Sequence, residues 1–184
     1  MHTLTLDRAP SQVARTVGIA LAAGFVVALV RTSPVGVALA SSLAVATVAA
    51  IVDVRTHRLP DTLVVAAALP VVAVGAASGA LDDVLLGAVV FAAPILAVHL
   101  VSPVVMGFGD VKFAAALGGA TGLLDPLWAL VALCVASGVT AIVGLFRRAR
   151  SLPFGPGLVA GAASAVTIAA AFPNALSEGR LPWR

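Results

Sequence analysis

Long stretches of this chain carry no charge, and short polar breaks divide them into seven segments. The first uncharged run, Thr16 to Val30, predicts a helix over 13–31. Asp7, Arg8 and Arg15 precede it and Arg31 and Pro34 follow, without the polar cleavage region of a removable signal. Residues 33–52 form a second, uninterrupted run that ends at DVRTHRLPD, and 62–81 form a third that meets the acidic pair Asp82 and Asp83. The run 84–109 exceeds one span, so its helix is expected to stop near Val101, where Ser102 and Pro103 end it. Residues 111–124 follow, then 127–146 after Asp125 and Pro126, and a last helix at about 155–173 after the RRAR break. A full crossing takes roughly 20 residues, so 111–124 is expected to tilt or to cross only part of a bilayer.

Composition fixes the class. Mean hydropathy is +1.12, and 10% of residues are charged where a soluble domain carries about 25%. The expected fold is an all-α polytopic membrane protein, a bundle of about seven (six to seven) transmembrane segments. No polar stretch is long enough to fold alone, so 1–184 reads as one domain, with 13–31 a peripheral first helix and 33–173 the core. Placing the N-terminus in the cytoplasm puts Arg8, Arg15, Arg55, Arg58, Lys112, Arg147, Arg148 and Arg150 inside and Arg31, Arg180 and Arg184 outside. That bias fits the positive-inside rule, and it explains the net charge of +3 without nucleic acid. The only cysteine, Cys134, lies in LVALCVASG and reads as a small packing residue. Gly118, Gly119 and Gly122, with Gly155, Gly157 and Gly161, permit close helix approach.

With so few acids in the chain, Asp53 and Asp110 need a reason to stand at the edges of apolar runs. The same topology brings both to the cytoplasmic face. Two carboxylates sharing a site do not easily both ionise, which leaves an acid beside a carboxylate. Such a pair can activate water and protonate a leaving group. By position alone three readings stay open: an aspartic dyad, an ion-binding or transport site, or structure, with Asp110 capping a helix and Asp53 paired to Arg55, Arg58 or Lys112. His57 and His99 have no partners at metal-ligand spacing, so no metal is expected, and no cofactor motif is present. No serine sits in a nucleophile motif.

The segment Asp53-Val-Arg-Thr-His-Arg-Leu-Pro60-Asp61 resembles the first signature of the prepilin leader peptidases. Gly107-Phe-Gly109-Asp110-Val-Lys112 is similar to their second, the GxGD motif of intramembrane aspartic proteases. Ser151-Leu-Pro-Phe-Gly-Pro156 resembles a third landmark before the final helix. The resemblance implies that Asp53 and Asp110 are the catalytic pair of a type IV prepilin peptidase. Gly107 and Gly109 would let substrate or a partner helix approach Asp110, and Lys112 would support the site or snorkel to the interface. Pro60 and Asp61 read as a helix-start device, with Asp61 capping a helix from Thr62. Longer relatives carry paired CxxC motifs associated with N-methylation. With one cysteine, this chain resembles the short peptidase-only branch of Flp or Tad-type pilus systems, and no methyltransferase domain is expected. The expected partners are prepilin or pseudopilin precursors, pilus assembly machinery and membrane lipid.

Overall fold

The computed structural model of the chain describes residues 33–56, 58–103, 106–147 and 154–172. Every regular element among them is an α-helix. The expected helix over 13–31 lies outside the described residues. The six described helices are α1 (Pro34–Thr56), α2 (Asp61–Ser78), α3 (Leu81–Val101), α4 (Phe108–Gly122), α5 (Pro126–Arg147) and α6 (Gly155–Ala171). Four helices, α1, α2, α3 and α5, are long and apolar enough to cross a membrane. This is an all-helical, multi-pass membrane protein. Large apolar side chains such as Val65, Leu69, Leu85, Val89 and Leu100 point outward from these helices, where lipid rather than protein would cover them.

Three boundaries differ from the sequence expectation, one of them the start of α4, which falls at Phe108 rather than 111 and takes Asp110 into the helix. Helix α1 does not stop before Asp53 but continues one turn further, to Thr56. The break before α3 falls not at Asp82 and Asp83 but at Gly79, whose left-handed φ of 74° ends α2. Asp82 and Asp83 belong to the first turn of α3, where carboxylates meet the positive end of the helix dipole. The end of α3 falls where expected, with Ser102 as its cap. Asp125 accepts the Leu127 N–H at 2.9 Å and satisfies one of the free donors that open α5.

Helix α4 is central, for it touches each of the other five described helices. Its 15 residues reach only about 22 Å, against about 30 Å of bilayer hydrocarbon. From Ala116 to Gly122 every residue is buried. The tightest seam is with α3. A Cβ on Gly87 would stand 2.5 Å from the Gly118 carbonyl oxygen and 2.6 Å from the Gly122 Cα. A Cβ on Gly118 would stand 2.5 Å from both the Gly87 carbonyl oxygen and the Phe91 Cβ, and one on Gly122 would strike the Asp83 carbonyl oxygen. Backbone therefore meets backbone here, and no side chain can yield. Gly157 and Gly161 face α5: a Cβ on Gly161 would strike the Ala132 carbonyl oxygen, and one on Gly157 the Thr140 hydroxyl.

These contacts separate glycines that the packing requires from those it does not. Gly118→Ala should destabilise the protein by about 1–3 kcal/mol or more, as overpacking does. Gly138 has nothing within 4 Å of its missing Cβ, so Gly138→Ala should be neutral, or stabilising by up to about 1 kcal/mol through helix propensity. Thermal unfolding in detergent micelles compares the two. Equal melting temperatures would remove the seam from the account of the fold.

Candidate active site

Helix α1 carries a buried stripe at Leu39, Ser42, Leu43, Ala46, Ala50 and Asp53, the three- and four-residue spacing of one helix face. Asp53 is the last member of that stripe and is 7% exposed. It stands in the final turn of α1, and Asp110 stands in the first turn of α4. The three consecutive passes α1, α2 and α3 return the chain to the end of the bundle where α1 finished. The starts of α2, α4 and α6 gather there too.

Asp110 lies outside the four helices long enough to span. Its carboxyl is raised to about 6: burial is the largest cause, the charge of Asp53 adds to it, and a hydrogen bond from the Gly107 backbone acts the other way. The two aspartates are therefore close enough for one charge to bear on the other, although 57 positions separate them in sequence. Asp110 does not occupy the cap position of α4, but from the first turn its carboxyl accepts from the Gly107 backbone, as the reciprocal half of a capping box does. Gly107 holds that position without a side-chain hydrogen bond, and the Asp110 N–H donates to the Gly107 carbonyl at 3.1 Å.

The glycines of the second motif are not forced by the chain's own packing. A Cβ on Gly109 would make ordinary contact with Leu59 at 3.4 Å, and one on Gly107 would stand 3.6 Å from Asp110 Oδ2. Gly107 is exposed. A methyl at Gly107 would therefore stand beside the Asp110 carboxyl, and one at Gly109 beside Leu59.

Lys112 does not turn to either aspartate of the pair. Its Nζ donates to Asp61 Oδ1 at 2.9 Å and to Oδ2 at 3.0 Å, and it lies 5.3 Å from the centre of the Phe108 ring. The contact ties the start of α2 to the start of α4. Both partners are well exposed, so its energetic contribution is small and its effect is to fix register. Asp61 is consequently not a cap: it is the first residue of α2, and Pro60 occupies the cap position without a side-chain hydrogen bond. The Pro60–Asp61 pair stands at a helix start as expected, but its acid serves Lys112.

His99, which looked isolated in the sequence, belongs to this end as well. Its Nδ1–H donates to the Met106 carbonyl at 2.7 Å, and its ring lies 5.5 Å from that of Phe108. It thereby anchors the residue just before the GFGD turn. The other unforeseen neighbour is Gly155, whose missing Cβ would stand 2.8 Å from Asp53 Oδ2. Of the third landmark, residues 151–153 lie outside the described residues. Among the described residues, no three His, Cys, Asp or Glu side chains gather as metal ligands would.

Comparison with known proteins agrees with the arrangement at the level of the family. No curated protein and no solved structure matches this chain. Residues 38–145, more than half of the 184, match the family model described as the Type IV leader peptidase family. That stretch runs from α1 into α5 and contains both aspartates, so the chain belongs to the type IV leader peptidase family.

Proposed function

We propose that the protein is an aspartic endopeptidase that removes the basic leader of type IV prepilins, of the Flp or Tad-like kind, at the cytoplasmic membrane face. The observation that carries this reading is the placement of two acids from separate helices, Asp53 in the last turn of α1 and Asp110 in the first turn of α4, at one end of the bundle, where the Asp53 charge helps to raise Asp110. Membership of the peptidase family supports it.

In this reaction the pair shares one proton. The ionised carboxylate takes a proton from water as its oxygen attacks the scissile carbonyl carbon. The protonated partner donates to the carbonyl oxygen, giving a neutral tetrahedral diol. Collapse restores the carbonyl, breaks the C–N bond, and passes a proton to the leaving amine. The raised Asp110 makes it the holder of the shared proton. Both aspartates are within a turn of a helix end, so the scissile bond would be met near the membrane surface. A prepilin fits such a place: its leader can stay in the cytoplasm while its apolar helix lies in the bilayer. Arg55, Arg58 and Lys112 share that end, so attraction of a basic leader is not the recognition device. Helix packing and extended backbone beside the pair would serve instead.

Asp53→Asn and Asp110→Asn should each lower cleavage of a cognate prepilin in membranes by about 10²-fold or more while leaving the protein inserted. Full activity in either inserted variant excludes that residue from the pair. The cleavage rate should also depend on pH with a definite sign. Protonated Asp110 is the working form and is lost as pH rises through about 6, so kcat/KM should fall on the alkaline side of that point. A rate that stays level to about pH 9 contradicts proton sharing. Orientation is checked by thiol labelling after Cys134 is replaced. Arg58→Cys should react with an impermeant reagent only after permeabilisation, and Ala80→Cys from outside; the reverse pattern inverts the topology.

A further inference from the structure

We propose that Gly155 is a positioning residue for Asp53: its bare Cα forms the wall against which the Asp53 carboxylate is held, and any side chain there displaces that carboxylate. The proposal rests on the reading of Asp53 and Asp110 as the working pair, and it assigns a role to a residue outside both aspartate motifs.

Backbone conformation does not explain a glycine at this place. Among the described residues the only glycine with positive φ is Gly79, so Gly155 adopts a backbone that alanine accepts. It is also the first residue of α6, and within a helix glycine is less favourable than alanine by about 1 kcal/mol. What the position lacks is room. The three heavy atoms nearest to a Cβ at 155 all belong to one side chain: Asp53 Oδ2 at 2.8 Å, with its Cβ and carboxyl carbon each at 3.5 Å. No backbone of α1 stands among them. This differs from Gly87, Gly118 and Gly122, where a methyl would meet main-chain atoms that cannot yield.

Helix α6 separates the two tasks by its periodicity. Gly157 and Gly161 are four residues apart, on one face, and both meet α5. Gly155 is two residues before Gly157, on the far side of the helix, and meets α1. One face of α6 thus fits it to the bundle, and the other stands behind Asp53. A carbon 2.8 Å from a carboxylate oxygen must push it several tenths of an ångström away, against the ordinary C···O approach of about 3.3 Å or more. Carboxylates yield more readily than backbone. The fold should therefore survive Gly155→Ala while the reacting geometry does not.

The test measures prepilin cleavage by the full-length protein in membranes. Gly155→Ala should lower kcat by about 10-fold or more through misplacement of the acid, with KM within about twofold, while Gly138→Ala keeps wild-type kcat. The second readout needs no proteolysis. Isotope-edited infrared titration of the aspartate carboxyls should move in Gly155→Ala relative to wild type, because a displaced Asp53 bears differently on Asp110. Unchanged kcat together with an unchanged titration overturns the proposal. If wild-type protein cleaves no prepilin, the endopeptidase reading fails and the titration alone decides the contact. Should Gly155→Ala fail to fold, the double variant Asp53→Ala/Gly155→Ala decides. Recovery of the fold assigns the conflict to the carboxylate, and continued failure makes Gly155 a packing residue only.

Discussion

The contact of α3 with α4 through Gly87, Gly118 and Gly122 is the constraint on which the other arrangements depend. Lipid offers helices no hydrophobic drive to associate, so close packing of small residues has to supply it. At this seam backbones approach until a single methyl would collide. That approach lets a helix too short to span lie among five others instead of facing lipid. Because α4 is central, the residue in its first turn lies among the ends of α1, α2 and α6. Asp110 owes its neighbours to glycines about two and three turns further along its own helix.

The end of the bundle that holds the two aspartates is organised by contacts of unequal strength. Asp53 is set by the buried stripe of α1, a rigid element, and by the wall of α6 behind it. Asp110 is set by the start of α4. Around them lies a looser ring: the exposed Lys112–Asp61 pair, the Phe108 ring, and His99 holding the Met106 carbonyl. The packed parts place the acids, whereas the ring joins the segments that enter and leave the membrane beside them. Such a division would suit the proposed reaction, which needs two groups held in register.

Much of this was legible in the sequence because the signals were local. Uncharged runs gave the helices from 33 onward, the Ser102-Pro103 stop ended α3 where expected, and the two aspartate motifs stood at helix ends. The errors are local too. Asp82 and Asp83 looked like a break because charge interrupts an apolar run, yet carboxylates are welcome in a first helical turn. Asp61 looked like a cap because it precedes an apolar helix, but its partner, Lys112, is 51 positions away. Contacts of that kind were hidden throughout. Gly87 is one glycine among many in apolar surroundings, and nothing in LLGAVV marks it as the residue that meets Gly118. His99 gave no sign of Met106, nor Gly155 of Asp53. Helix periodicity shows which residues share a face, not which face lies opposite.

The composition of α4 has an entropic consequence. Between Ala114 and Gly122 all residues except Leu117 and Thr121 are alanine or glycine, which have no side-chain rotamers to freeze on packing. Packing this helix thus freezes few rotamers, although its glycines give up more backbone freedom than alanines would, and it retains almost no internal slack afterwards. A core of larger side chains can absorb a nearby disturbance by repacking a rotamer here and there. This one cannot: if the bundle adjusts around Asp110, whole helices have to shift against each other.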